Sequence, residues 1–100
     1  MLITLDEAKE YLRVDGDEDN TLINTLIKAS EEYLRNATGK TFGDTNNLAR
    51  LFCLILVVDW YENRGLTAGK VGDKIRPVIN SMLAQLNYCY EGVEEWTQAN

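Results

Sequence analysis

The chain has 100 residues, 45% of them hydrophobic and 26% charged, with a formal net charge of −6 and no histidine. That length and hydrophobic share fit one domain with one core, excluding broad disorder and a deep enclosed active site. The acidic balance disfavours tight phosphate binding, and the missing histidine removes the commonest general base and metal ligand.

The first predicted element is a short helix. Thr4-Leu5-Asp6-Glu7 spells a capping box, in which the Thr4 hydroxyl accepts from the Glu7 N–H and Glu7 reaches back to Thr4. Leu5, Ala8 and Leu12 share one face, and the helix is expected to end before Gly16. Asp15-Gly16-Asp17-Glu18-Asp19-Asn20 alternates carboxylates in the manner of a calcium loop. Its sixth and twelfth positions hold Asn20 and Leu26, where an EF-hand needs glycine and glutamate. The segment therefore reads as the acidic N-terminus of the next helix, with an Asp as cap.

That second helix is expected from about Glu18 to Thr38. Leu22, Ile23, Leu26, Ile27, Ala29, Ser30, Tyr33, Leu34 and Ala37 form a stripe at the helical period, opposite Asn24, Lys28, Glu31, Glu32 and Arg35. Glu31 and Arg35 are spaced for a surface ion pair, and Gly39 suits the position after the helix end. Lys40 to Asn47 reads as a loop.

A third helix is predicted from about Asn47 to Arg64, with Gly65 as its stop. Its middle, Leu51 to Val58, is apolar all round. Leu51, Leu54, Ile55 and Val58 make one face; Cys53, Leu56 and Trp60 make the opposite one. A helix apolar on every side must be surrounded, and a chain this short predicts that another subunit covers part of it. Asp59 interrupts the run and is expected to pair with an Arg or with Asn63.

Gly65-Leu66-Thr67-Ala68-Gly69-Lys70-Val71-Gly72-Asp73 holds a Gly-Lys pair, but its spacing and the following Val71 depart from a phosphate-binding P-loop. It reads as a connecting or protruding contact loop. The fourth helix begins around Pro77, with Ile75, Val78, Ile79, Met82, Leu83, Leu86, Cys89 and Tyr90 on one stripe and Tyr88 off it. Residues 92–100 form an acidic tail with one tryptophan, Trp96, expected to fray when free and suited to anchoring on a partner.

Catalytic chemistry has little to stand on. The two cysteines, Cys53 and Cys89, lie in apolar helices without a CxxC partner or a neighbouring base, which predicts buried reduced thiols in a reducing compartment. No catalytic, metal-binding or cofactor-binding set is expected, and the chain reads as a non-enzyme. A basic stripe with interleaved aromatics is missing too. The opening Met1 to Leu12 lacks the basic start of a signal peptide, and Leu51 to Val58 is too short to span a membrane.

Several segments resemble one family. Ile3-Thr4-Leu5-Asp6-Glu7-Ala8-Lys9-Glu10-Tyr11-Leu12-Arg13-Val14-Asp15 resembles the start of the head–tail connector (adaptor) proteins of tailed bacteriophages, often labelled DNA-packaging proteins. The acidic cluster, Leu22-Ile23 to Thr38-Gly39, the string Asp59-Trp60-Tyr61-Glu62-Asn63-Arg64, and Arg76-Pro77-Val78-Ile79 with Met82, Leu83 and Leu86 continue the likeness in order. The family's last helix often ends in a Leu-Arg pair, whereas Asn87 follows Leu86 here.

The expected fold is all-α: a small bundle of four to five helices with a glycine-rich loop before the last long helix. Residues 1–91 would form the connector domain and 92–100 the tail. The resemblance implies a structural subunit of an adaptor ring of about a dozen copies, closed by head-to-tail contacts. Such a ring sits at the head–tail junction of the virion, assembled in the bacterial host cytoplasm. It docks on the portal, meets a tail-completion or stopper protein, and lets DNA pass non-specifically, without cofactor or membrane. Candidate subunit or partner contacts are Leu56, Trp60, Leu66, Lys70, Val71, Tyr88 and Trp96. The competing reading is a small non-phage helical module that binds or regulates one partner.

Overall fold

Four helices follow one another: α1 (Leu5–Leu12), α2 (Asn20–Thr38), α3 (Asn47–Glu62) and α4 (Arg76–Cys89). The computed structural model describes residues 2–43, 45–63 and 74–89, among which there is no strand. The small all-α bundle is therefore as expected. The glycine-rich loop, Leu66, Lys70, Val71 and the tail with Trp96 lie outside the described residues.

The α2–α3 pair is the broadest helix contact, with α1 and α4 each packed on both. Ile23, Ile27 and Leu34 of α2 are closed off from solvent against Phe52, Leu56 and Val57 of α3. Ile79 and Leu86 complete the core from α4. Tyr33 of α2 packs its ring 6.1 Å from Phe52 and 6.3 Å, edge-on, from Trp60. Such pairs add to the apolar area that they bury.

Local chemistry sets the helix ends. The capping box forms as the sequence dictates: Glu7 N donates to Thr4 Oγ1 at 3.1 Å, and Thr4 N to Glu7 Oε1 at 2.9 Å. α1 stops at Arg13, in the left-handed region at φ 61°, with the Val14 N–H returning to the Lys9 carbonyl at 3.0 Å. Gly39 closes α2 at φ 71°, its N–H on the Arg35 carbonyl at 2.7 Å. Asn46 caps α3 by accepting from Ala49 N at 3.1 Å. α3 ends at Glu62, short of the expected Arg64, because Asn63 turns back. Its Nδ2 donates to the Asp59 carbonyl at 2.9 Å and to Asp59 Oδ1 at 3.2 Å, competing with further helix.

Three expectations need correction. α2 begins at Asn20, so the carboxylates precede it, and Asp19 at the cap position makes no side-chain cap bond. Asp19 Oδ2 instead accepts from the Tyr61 hydroxyl, tying the acidic segment to α3. Glu31 forms no ion pair with Arg35; its carboxylate accepts from the Leu2 N–H. Ala37, placed on the apolar stripe, is exposed.

Candidate functional site

α3 has two apolar faces, and the structure treats them differently. Ala49, Phe52, Cys53, Leu56, Val57 and Trp60 recur at helical spacing and are buried, Trp60 being 4% exposed and the rest closed. Leu51, Leu54, Ile55 and Val58 lie on the other side. Leu51 is 42% exposed and the other three are half-buried.

α1 supplies the wall beside this strip. Tyr11 stands at its edge with 54% exposure. Between Tyr11, Ile55, Val58, Glu62 and Ile75 lies a shallow groove of about 150 Å³. On the other side of Tyr11, Leu54 borders a wider, open hollow with Glu7, Glu10 and Arg13. The result is an apolar floor with a rim of mixed charge, Glu10 and Glu62 against Arg13.

The wall is held by a clasp. Arg50 of α3 pairs with Glu7 of α1 through Nη2 and donates from Nε to the Leu2 carbonyl at 3.1 Å. With Glu31 on the Leu2 N–H, both backbone groups of Leu2 have partners, and Leu2 and Ile3 insert into the core. The Thr4 N–H, with Arg50 adding to it against some burial, holds the Glu7 carboxyl below its ordinary value. Asp17 is lowered too, by hydrogen bonds from Lys9, at 3.0 Å, and from Asn20.

A second hollow, of about 280 Å³, has Leu2, Leu34 and Phe42 beneath and Glu31, Arg35 and Lys40 at its rim. Lys40 Nζ donates to the Asn87 carbonyl, linking this corner to α4.

Burial pushes the Cys53 thiol up to about 12, overriding the hydrogen bond from Ser30 that lowers it. A thiol so raised is protonated at neutral pH and is no nucleophile. Among the described residues, no three Cys, Asp or Glu side chains gather to hold a metal ion. No helix formed by them is long and apolar enough to cross a membrane.

Of the contacts named from sequence, Leu56 and Trp60 are enclosed by the chain itself and back the strip from behind. Tyr88 is 84% exposed on α4. Leu66, Lys70, Val71 and Trp96 lie outside the described residues. Tyr11, Leu51, Leu54, Ile55 and Val58 were not among those contacts. The signal lay at the ends of the two α3 faces. The inner one stays apolar from Ala49 to Trp60, whereas the outer one meets Asn47 and Glu62.

The described residues thus form a small helical bundle with a partly exposed apolar strip along α3. The chain matches the family described as "Phage gp6-like head-tail connector protein" over residues 2–91. It therefore belongs to the phage gp6-like head–tail connector family, a structural family. No curated protein and no solved structure matches it.

The string Asp59-Trp60-Tyr61-Glu62-Asn63 has a structural reason. Asp59 and Asn63 end α3, Trp60 fills the core, Tyr61 holds Asp19, and Glu62 borders the groove.

Proposed function

We propose that this protein is a subunit of a connector ring that docks on the portal vertex of a phage head once DNA is packaged. The observation that carries this reading is the open strip on α3. A single-domain connector must bury a face against its neighbours, and this strip is apolar surface that the described chain covers only in part, Leu51 being exposed and Leu54, Ile55 and Val58 half-buried. About a dozen copies would close such a ring by head-to-tail contacts. Residues 1–91 form the connector domain, and the acidic tail 92–100 with Trp96 reaches a partner, as do Leu66, Lys70 and Val71 in the preceding loop.

The ring surrounds the DNA path at the head–tail junction of the virion, between portal and tail-completion protein, after assembly in the host cytoplasm. DNA passes without sequence readout. The net charge of −6 supports this, because carboxylates that outnumber cations by 16 to 10 weaken attraction to DNA phosphates. No catalytic step belongs to this role.

Native mass spectrometry of the full chain, over a concentration series with and without the portal protein, tests the reading. One large closed species, alone or on the portal, is the expected result. A monomer or dimer that ignores the portal at every concentration contradicts it.

A further inference from the structure

The hollow between the end of α2 and residues 40–43 has apolar side chains recessed at its base. Leu2, Leu34 and Phe42 are buried, yet they line an opening of about 280 Å³. That is room for one aromatic side chain, the kind of group that gains most from covering recessed apolar surface.

The rim is charged. Arg35 is exposed, Lys40 is half-buried, and Glu31 is the one carboxylate among the described lining residues. Glu31 accepts from the Leu2 N–H, and Lys40 Nζ donates to the Asn87 carbonyl, a neutral group that leaves the ammonium charge in place. Cations thus outnumber carboxylates at this rim, the reverse of the balance in the chain as a whole.

The Lys40 bond also fixes a position. It sets the last turn of α4 at the edge of the hollow, just before that helix ends at Cys89. Residues 90–100 continue from there and hold Glu91, Glu94 and Glu95, no cation, and a single tryptophan, Trp96. The stretch from Cys89 to Trp96 reaches roughly 23 Å when extended, enough to cross a hollow that Lys40 itself lines. A tethered segment so close acts at an effective concentration on the order of millimolar, which a separate partner has to exceed.

We infer that the tail of the free subunit folds back into this hollow of its own chain. The Trp96 indole covers Leu2, Leu34 and Phe42, and the adjoining Glu94 and Glu95 carboxylates lie beside Arg35. The Arg35 guanidinium at the edge of the indole adds to the attraction. Tether, aromatic and sign of charge all select the tail. The inference concerns the free subunit and does not rest on the ring reading. A partner that takes the tail competes with this hollow.

Nuclear Overhauser contacts in the full-length chain, with leucine methyls and tryptophan rings isotope-labelled, test the docking. Contacts from the Trp96 ring to the Leu2 and Leu34 methyls are expected at every concentration and should vanish in Trp96→Ala. An equimolar mixture of methyl-labelled and ring-labelled chains should show none between chains. A Trp96 ring that touches neither methyl overturns the inference. Contacts that appear only between chains in the mixture overturn it too, since the tail then docks on another copy.

Arg35→Glu, at an exposed position, tests the pairing. Acrylamide quenching of Trp96 is read as the difference between each protein and its Trp96→Phe form, in which the enclosed Trp60 cancels. Arg35→Glu should weaken docking about fivefold, as the loss of a surface ion pair would, and quenching should rise accordingly. Quenching unchanged by Arg35→Glu overturns the pairing of the tail carboxylates with Arg35.

Discussion

α2 and α3 bury one face each to the same depth, and their opposite faces differ in kind. α2 turns Lys28, Glu32, Arg35 and Asn36 to solvent; α3 exposes Leu51 and leaves Leu54, Ile55 and Val58 half-buried. The α2 arrangement is complete in water, since its core stripe and charged face account for every side of the helix. α3 is half explained by its own fold. Its inner face makes the core, and its outer strip is used by that core only in part, through Leu54 and Ile55, with Leu51 left exposed. Stability rests on one side of the helix and the proposed docking on the other, so substitutions can separate them.

The largest effect should come from the inner side. Phe52→Ala removes a fully buried ring in contact with Tyr33 and should lower unfolding free energy by about 3–5 kcal/mol in urea melts. Such a loss would consume much of a small domain's stability. A loss no larger than that of an exposed-site control would break the distinction between the two faces.

A smaller effect is expected at the clasp that sets the groove wall. Thr4→Ala deletes the cap of α1 and should cost about 1 kcal/mol in the same melts. Because α1 carries Tyr11, self-association should weaken with it.

The pH response sharpens the same point. Glu7 is held below its ordinary value, so its stabilisation is complete at neutral pH. That contribution is lost as the pH falls below the ordinary glutamate range and through the lowered folded-state value. Glu7→Gln should flatten the acid side of the stability profile relative to wild type. An unchanged acid limb would remove Glu7 from the clasp.

Much of this was legible in the sequence where the cause is local. The Thr4–Glu7 box, the Gly39 stop, the Asn63–Asp59 pairing and the four helices follow from spacing over a few residues. What was not legible depends on distant partners. Leu2 and Ile3 are too short a pair for any periodicity, and their burial relies on Glu31 and Arg50, 29 and 48 residues from Leu2. An Asp was expected to cap α2, and Asp19, which stands at that position, instead accepts from Tyr61 on another helix. On α3 both faces are apolar, so periodicity alone could not say which one enters the core. That choice placed Leu56 and Trp60 among the contacts when they belong to the interior.

The most direct test sets the two outward faces against each other. Leu51→Asp on α3 and Lys28→Asp on α2 would be compared by light scattering after size exclusion, with circular dichroism melts of each. Leu51→Asp, at the exposed end of the strip, should keep the fold while remaining monomeric where the wild type assembles, and Lys28→Asp should assemble like the wild type. Full assembly of Leu51→Asp, with the wild-type mass and midpoint concentration, would contradict the claim that the α3 strip is where this connector meets its neighbours.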